Sequence, residues 1–184
     1  GLGDVYKRQD IQEIGMARLS SISPDDRLQL RLHGKGYFFD NARRKHGALM
    51  HEVLSRIRTR KDIPQSVERY RQEGVIDREE AASLVARLEE LLSLPEAASW
   101  YDGTARVLNE VDILFGKGLS KRPDRVMITG NSVIVIDYKF GEHTDQRYHS
   151  QVRNYLKLIR QMGYGEVEGF LWYVELNKIE AVKG

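Results

Sequence analysis

The sequence predicts an α/β fold on a mixed sheet. Three observations carry that expectation: a first half patterned at helical period, a change after Gly103 to segments rich in Val and Ile, and one further amphipathic helix set among those segments. With 184 residues the chain is long enough for one domain with a real core and too short for two large ones.

The elements follow in order. Residues 1–9 (GLGDVYKRQ) have no periodicity and read as a non-native leader. The chain starts without methionine and reads as the C-terminal piece of something longer. Residues 10–41 are expected to form a linker and an edge strand, in which the strict alternation RLQLRL at 27–32 puts Leu28, Leu30 and Leu32 on one face. The main domain is expected over 42–184, with a helical insertion at about 64–100. A helix over 42–60 presents Met50, Val53, Leu54 and Ile57 as a stripe. Pro64 and Gly74 bracket a short helix. Asp77 and Glu80 form a capping box that opens a helix to about residue 93, striped by Leu84, Leu88, Leu91 and Leu92. Pro95 starts one more helical turn near Trp100.

Beyond Gly103, segments 109–116 (NEVDILFG), 122–129 (RPDRVMIT) and 132–139 (SVIVIDYK) read as strands. A helix is expected over 145–162, with Tyr148, Val152, Tyr155, Ile159 and Met162 near one side and Gly163 as its stop. Strands at 167–175 and 178–182 complete the fold.

Composition narrows the function classes. The absence of cysteine excludes disulfide scaffolds and thiolate metal sites and suits a reducing cytoplasm. No run approaches the ~20 apolar residues of a membrane span. A formal charge of +2 is too small to argue a polyanionic partner by itself. Arg43, Arg44, Lys45 and His46, then Arg56, Arg58, Arg60 and Lys61, form basic runs of the kind that are ordinarily a solvated helix face.

The chemistry is concentrated in the hairpin over 122–139. Gly130-Asn131 reads as a two-residue turn, both residues tolerating positive φ. Pairing Thr129 with Ser132 and stepping outward sets Asp124 directly opposite Asp137, with Cβ atoms about 5 Å apart. Like charges so placed destabilise a sheet, and a hard divalent cation reverses the sign. Lys139 points to the same face by alternation; Tyr138 points away but leaves its carbonyl near the two carboxylates. Such a D-x(12)-D-x-K arrangement suits phosphodiester hydrolysis, in which the cation activates water and offsets charge on the phosphate. Strand-end aspartates and lysines are also common as turn residues or surface ion pairs. Here a VIVI strand runs into the charged triplet, and charges ending an apolar strand need partners.

The segment RPDRVMITGNSVIVIDYKFG resembles the PD-(D/E)xK core of RecB-like and AddA-like nucleases, found at the C-terminus of UvrD-type helicases. Gly47-x-x-x-His51 resembles that family's upstream G-x-x-x-H helix, and Gln151-x-x-x-Tyr155 its Q-x-x-x-Y helix. The resemblance covers about residues 25–182 and implies a restriction-endonuclease-like αβββαβ core. It implies His51, Asp124, Asp137 and the Tyr138 carbonyl as ligands of Mg²⁺ or Mn²⁺, Lys139 as the residue that assists the attacking water, and Gln151 and Tyr155 as DNA-positioning residues. It further implies an exonuclease working with a helicase motor in double-strand-break repair and recombination, with a second nuclease subunit as a further partner. No P-loop motif is present, so ATP would enter only through a separate motor part.

Bland readings stand beside these. His51 flanks the stripe of its helix, where a lone histidine is ordinarily a satisfied boundary residue. Tyr155 could equally be core. Glu110 could support Lys139 or the metal's outer partners, though a Glu in an Asn-Glu-Val-Asp strand is usually just exposed. Trp172 and Tyr173 read as packing residues rather than base-stacking ones. A catalytically silent nuclease fold used for DNA binding or docking is the main alternative function, and a Holliday-junction-type or restriction-type endonuclease is a third.

Overall fold

The structure is a computed structural model whose backbone is described for residues 35–115, 119–141 and 143–184, with side chains from residue 45 onward except at 115 and 119. The predicted strand at 27–32 lies outside the described residues. Residues Lys45–Gly184 form one compact unit.

Helix α1 spans Lys35–Arg56, α2 Ile63–Gln72 and α3 Arg78–Leu91. The starts of α2 and α3 have local causes. Pro64 sits in the first turn of α2, where its missing N–H costs nothing. Asp77 caps α3 by accepting from the Glu80 N–H, while the Glu80 carboxylate accepts from the Asp77 N–H, both at 2.8 Å. A 3₁₀ turn at Ala98–Tyr101 leads to the sheet. Strands β1 (Arg106–Asn109), β4 (Arg125–Thr129), β5 (Ser132–Lys139), β6 (Glu166–Tyr173) and β7 (Lys178–Val182) form one five-stranded sheet in the order β1-β4-β5-β6-β7. Strands β2 (Ile113–Phe115) and β3 (Leu119–Lys121) form a separate two-stranded ribbon. Helix α4, Gln146–Gln161, crosses from β5 to the parallel β6.

The sheet is sandwiched, and alternation decides which residues face which layer. Met127, Ile136, Tyr138 and Trp172 share a core with α1, α2 and α3, including Val53, Leu54, Ile57, Leu84, Leu88 and Leu91. Val126, Val135, Leu171 and Tyr173 face the other way, onto Val152, Tyr155, Leu156 and Ile159 of α4. Trp172 is fully buried against Trp100, Tyr101 and Tyr138, the packing role expected of it, and Tyr173 is likewise buried.

Four expectations need correction. The strand predicted at 109–116 is two pieces, because the chain leaves the main sheet after Asn109 and Glu110 takes a left-handed φ of 53°. The strand predicted at 122–129 begins at Arg125, leaving Asp124 just outside the ladder. In the 130–131 turn Gly130 alone has positive φ, at 59°, so the bend needs glycine only at its first position. Met162 does not join the buried stripe; it follows the last turn of α4 and is 56% exposed. The hairpin register itself is as expected, with Thr129 opposite Ser132 and Arg125 opposite Ile136.

Candidate active site

The site forms where one end of the sheet meets helices from both layers. Helix α1 brings His51 from one face, β5 brings Asp137 and Lys139, and α4 brings Gln151 and Tyr155 from the other. Helix α1 reaches the end of β5 because Gly47 has no side chain: a Cβ there would lie 3.0 Å from Phe140 Cβ.

Asp124 is the junction. Its Oδ2 accepts from the Tyr138 N–H at 2.6 Å, and its Oδ1 lies 3.0 Å from His51 Nε2. The Glu110 N–H donates to the Asp124 carbonyl at 3.0 Å, which extends the β1–β4 pairing one step and swings Glu110 toward the same histidine. Glu110 Oε1 then lies 3.4 Å from His51 Nε2. His51, Glu110 and Asp124 each offer a ligand atom within 4.8 Å of the others, the spacing a shared cation requires. Glu110, expected as a lower-ranked candidate beside Lys139 or the metal's outer partners, lies within the central group.

Asp137 is 1% exposed, at the end of β5. Lys139 Nζ approaches its Oδ2 to 2.5 Å, as an ion contact off the hydrogen-bonding direction, so that oxygen has a counter-charge but no aligned donor. A chain of hydrogen bonds runs on from there. Lys139 donates to Gln151 Oε1 at 3.3 Å, Gln151 Nε2 donates to Asp137 Oδ1 at 3.4 Å and to the Tyr155 hydroxyl at 2.6 Å, and Tyr155 donates to the Arg122 carbonyl at 3.2 Å. Tyr155 is thus both core and site, since its ring is buried under α4 while its hydroxyl orients Gln151. The Lys139 ammonium also rests 4.5 Å from the centre of the Tyr148 ring.

The backbone of Tyr138 faces β4, as its N–H bond to Asp124 requires, and N–H and C=O of one strand residue point to the same side. Its side chain points away, as expected, into a 2.6 Å hydroxyl–hydroxyl contact with Tyr101.

Electrostatics give the cluster its character. Three carboxylates (Glu110, Asp124, Asp137) against one ammonium (Lys139) leave two net negative charges at the sheet end. Asp137 is pushed up from 3.8 to about 6, first by burial and then by the Asp124 charge, with Lys139 pulling back. Glu110 is raised by burial and again by Asp124. His51 is raised above 6.5, first by its bond to Asp124, with burial opposing. Two buried acceptor atoms, Glu110 Oε1 and Asp137 Oδ2, accept no hydrogen bond. Glu110 Oε1, buried with no donor, and the net negative charge of the cluster fit a divalent cation.

The predicted residues divide into two linked groups. His51, Glu110 and Asp124 come together directly; Asp137, Lys139, Gln151 and Tyr155 form the second group, joined to the first through Asp124 and the Tyr138 backbone. Half of the basic run after residue 55 is paired, Arg56 with Glu52 and Arg60 with Glu89. Sequence reasoning passed over Arg125, which is fully buried beside Asp124. Its signal was present: it alternates with Met127 in an apolar strand, where a cation must find acceptors.

No curated protein matches the chain. Among families, the profile of the PD-(D/E)XK nuclease superfamily matches residues 27–184. That span includes both groups of site residues and every element of the sheet. The chain belongs to the PD-(D/E)XK nuclease superfamily.

Proposed function

We propose that this chain is a metal-dependent DNA nuclease domain of the RecB-like or AddA-like branch. The observation that carries the reading is the meeting of His51, Glu110 and Asp124 with the Asp137–Lys139 strand end, Glu110 Oε1 being buried there without a donor. His51, Glu110, Asp124, Asp137 and the Tyr138 carbonyl are the residues that would hold Mg²⁺ or Mn²⁺, since a set dominated by carboxylate oxygens suits hard divalent ions. Bound there, the ion would polarise the phosphate and lower the pKa of the attacking water.

The protein's own groups supply the rest. Lys139 is held between Asp137, Gln151 and the Tyr148 ring, so its ammonium is fixed in direction before DNA arrives. From there it orients water or binds a non-bridging phosphate oxygen, which stabilises charge that grows in the transition state. Tyr155 locks the Gln151 amide through the Arg122 carbonyl, and Gln151 in turn positions the strand. Exonuclease action, cooperation with an ATP-driven helicase motor or second nuclease subunit, a cytoplasmic location and a role in double-strand-break repair and recombination belong to the same proposal. The G-x-x-x-H and Q-x-x-x-Y helices support the RecB-like branch, and the absence of cysteine suits a reducing cytoplasm.

Cleavage of end-labelled linear DNA and of covalently closed circles, in Mg²⁺ or Mn²⁺, tests the reading. Linear DNA should be degraded and circles resist. Asp137→Ala and Lys139→Ala should lose cleavage by at least about a hundredfold with unchanged circular dichroism. Undiminished cleavage in either variant ends the nuclease reading, and equal attack on circles ends the exonuclease one.

A further inference from the structure

Arg125 is a buried cation with no carboxylate partner among the described residues. Its guanidinium instead donates to the Ile57 carbonyl at 2.8 Å, the Arg58 carbonyl at 2.7 Å and the Trp100 carbonyl at 2.6 Å, and to Asn109 Oδ1 at 3.4 Å. The Tyr101 ring covers it, with the guanidinium carbon 4.0 Å from the centroid. Isolated buried charge is expensive, so this residue is retained against a cost unless the ties it makes matter.

What those ties join is informative. The Ile57 and Arg58 carbonyls follow the C-terminus of α1, the end of a helix where carbonyls lack partners and a cation is favoured. Asn109 closes the same end from β1, its amide donating to the Ser55 carbonyl at 2.7 Å. Arg125 itself immediately follows Asp124; Asn109 immediately precedes Glu110. His51 lies six residues before Ile57, about 9 Å along the helix axis. The three residues of the cation-sized group thus hang from three elements that one guanidinium fastens together. Gly47, seated on Phe140 one turn before His51, is a further contact between α1 and the end of β5.

We infer that Arg125 is the positioning residue of this site: it sets where α1 sits on β4 and β1, and so brings His51, Glu110 and Asp124 to a common spacing. The inference rests on the metal reading above, and the test separates the two. Because the chain has no cysteine, spin labels can be placed at exposed positions on α1 and β4 by Glu52→Cys and Thr129→Cys. Their distance distribution is measured by pulsed electron resonance, and Mn²⁺ affinity by titration without DNA. Arg125→Lys keeps the charge but cannot span three carbonyls. It should broaden the distance distribution and weaken Mn²⁺ binding about tenfold. Leu88→Ala, which opens a cavity in the same core away from the site, should change neither. Should Arg125→Lys fail to fold, Asn109→Ala removes one tie and carries the same expectation. A narrow distribution or wild-type affinity in the variant overturns the inference, as does an equal effect of Leu88→Ala. If the parent chain binds no Mn²⁺, the metal reading falls while the label distances still decide what Arg125 does.

Discussion

Replacing Asp137 with Asn should stabilise the metal-free protein, although it removes a central site residue. Asp137 is buried, next to the Asp124 charge, and its pKa is lifted from 3.8 to about 6 with the Lys139 attraction already included. The folded state therefore holds this proton more tightly than the unfolded chain does. Stability from protonation is fully present below about pH 4 and is lost as pH rises through about 6. At about 1.4 kcal/mol per pH unit, the ionised carboxylate costs the fold about 2–3 kcal/mol above pH 7. Asparagine has the shape of the neutral acid and avoids that cost. Thermal unfolding in EDTA should show Asp137→Asn melting roughly 5–10 °C above the parent at pH 8, with the gain vanishing toward pH 4. Added Mn²⁺ should raise the parent's melting temperature and close the gap. A variant that melts lower than the parent at pH 8, or a gain that does not depend on pH, would refute the reasoning.

The other predictions concern the surroundings of the site. Gly47→Val should push α1 off Phe140, cost about 1–3 kcal/mol, and weaken Mn²⁺ binding in calorimetry. Tyr101→Phe and Tyr138→Phe should each cost about 1–2 kcal/mol in urea unfolding by stranding the other hydroxyl, and the double variant less than their sum. Mn²⁺ affinity should fall as pH drops, from a point above the ordinary histidine value of 6.5, because a raised His51 keeps its proton and a metal ligand must be neutral. His51→Gln should flatten that dependence in a titration series. Glu110→Gly should relieve the left-handed strain, leaving melting temperature unchanged or higher while Mn²⁺ affinity drops.

Much of this was legible in the sequence because local rules governed it. The Asp77–Glu80 capping box, the turn at Gly130 and the apolar alternation through 132–136 each act over a few residues, and the last two set the register that pairs Arg125 with Ile136 and ends beside Asp124 and Asp137. Helical spacing put Gln151 and Tyr155 on one face, and the structure joins them by a hydrogen bond. What escaped depends on contacts far apart in the chain. The break after Asn109 looked like continuous strand because Val111, Ile113 and Phe115 keep the alternation; pairing with β3 and the turn at Glu110 override it. Glu110 was ranked below the other site residues because its exposure depends on that left-handed turn. Arg125 makes its bonds to carbonyls of residues 57, 58 and 100, which no local pattern brings together. Met162 followed the helical period one step past the end of its helix.

The most direct test of the central claim is a Mn²⁺ titration of the chain followed by electron resonance, alongside Asp124→Asn. Asp124 touches His51 and the Tyr138 backbone and lies within ligand range of Glu110. The parent should show saturable binding that largely disappears in the variant while the fold persists. Absence of saturable binding in the parent, or equal binding in Asp124→Asn, would contradict the existence of a divalent-ion site at this end of the sheet.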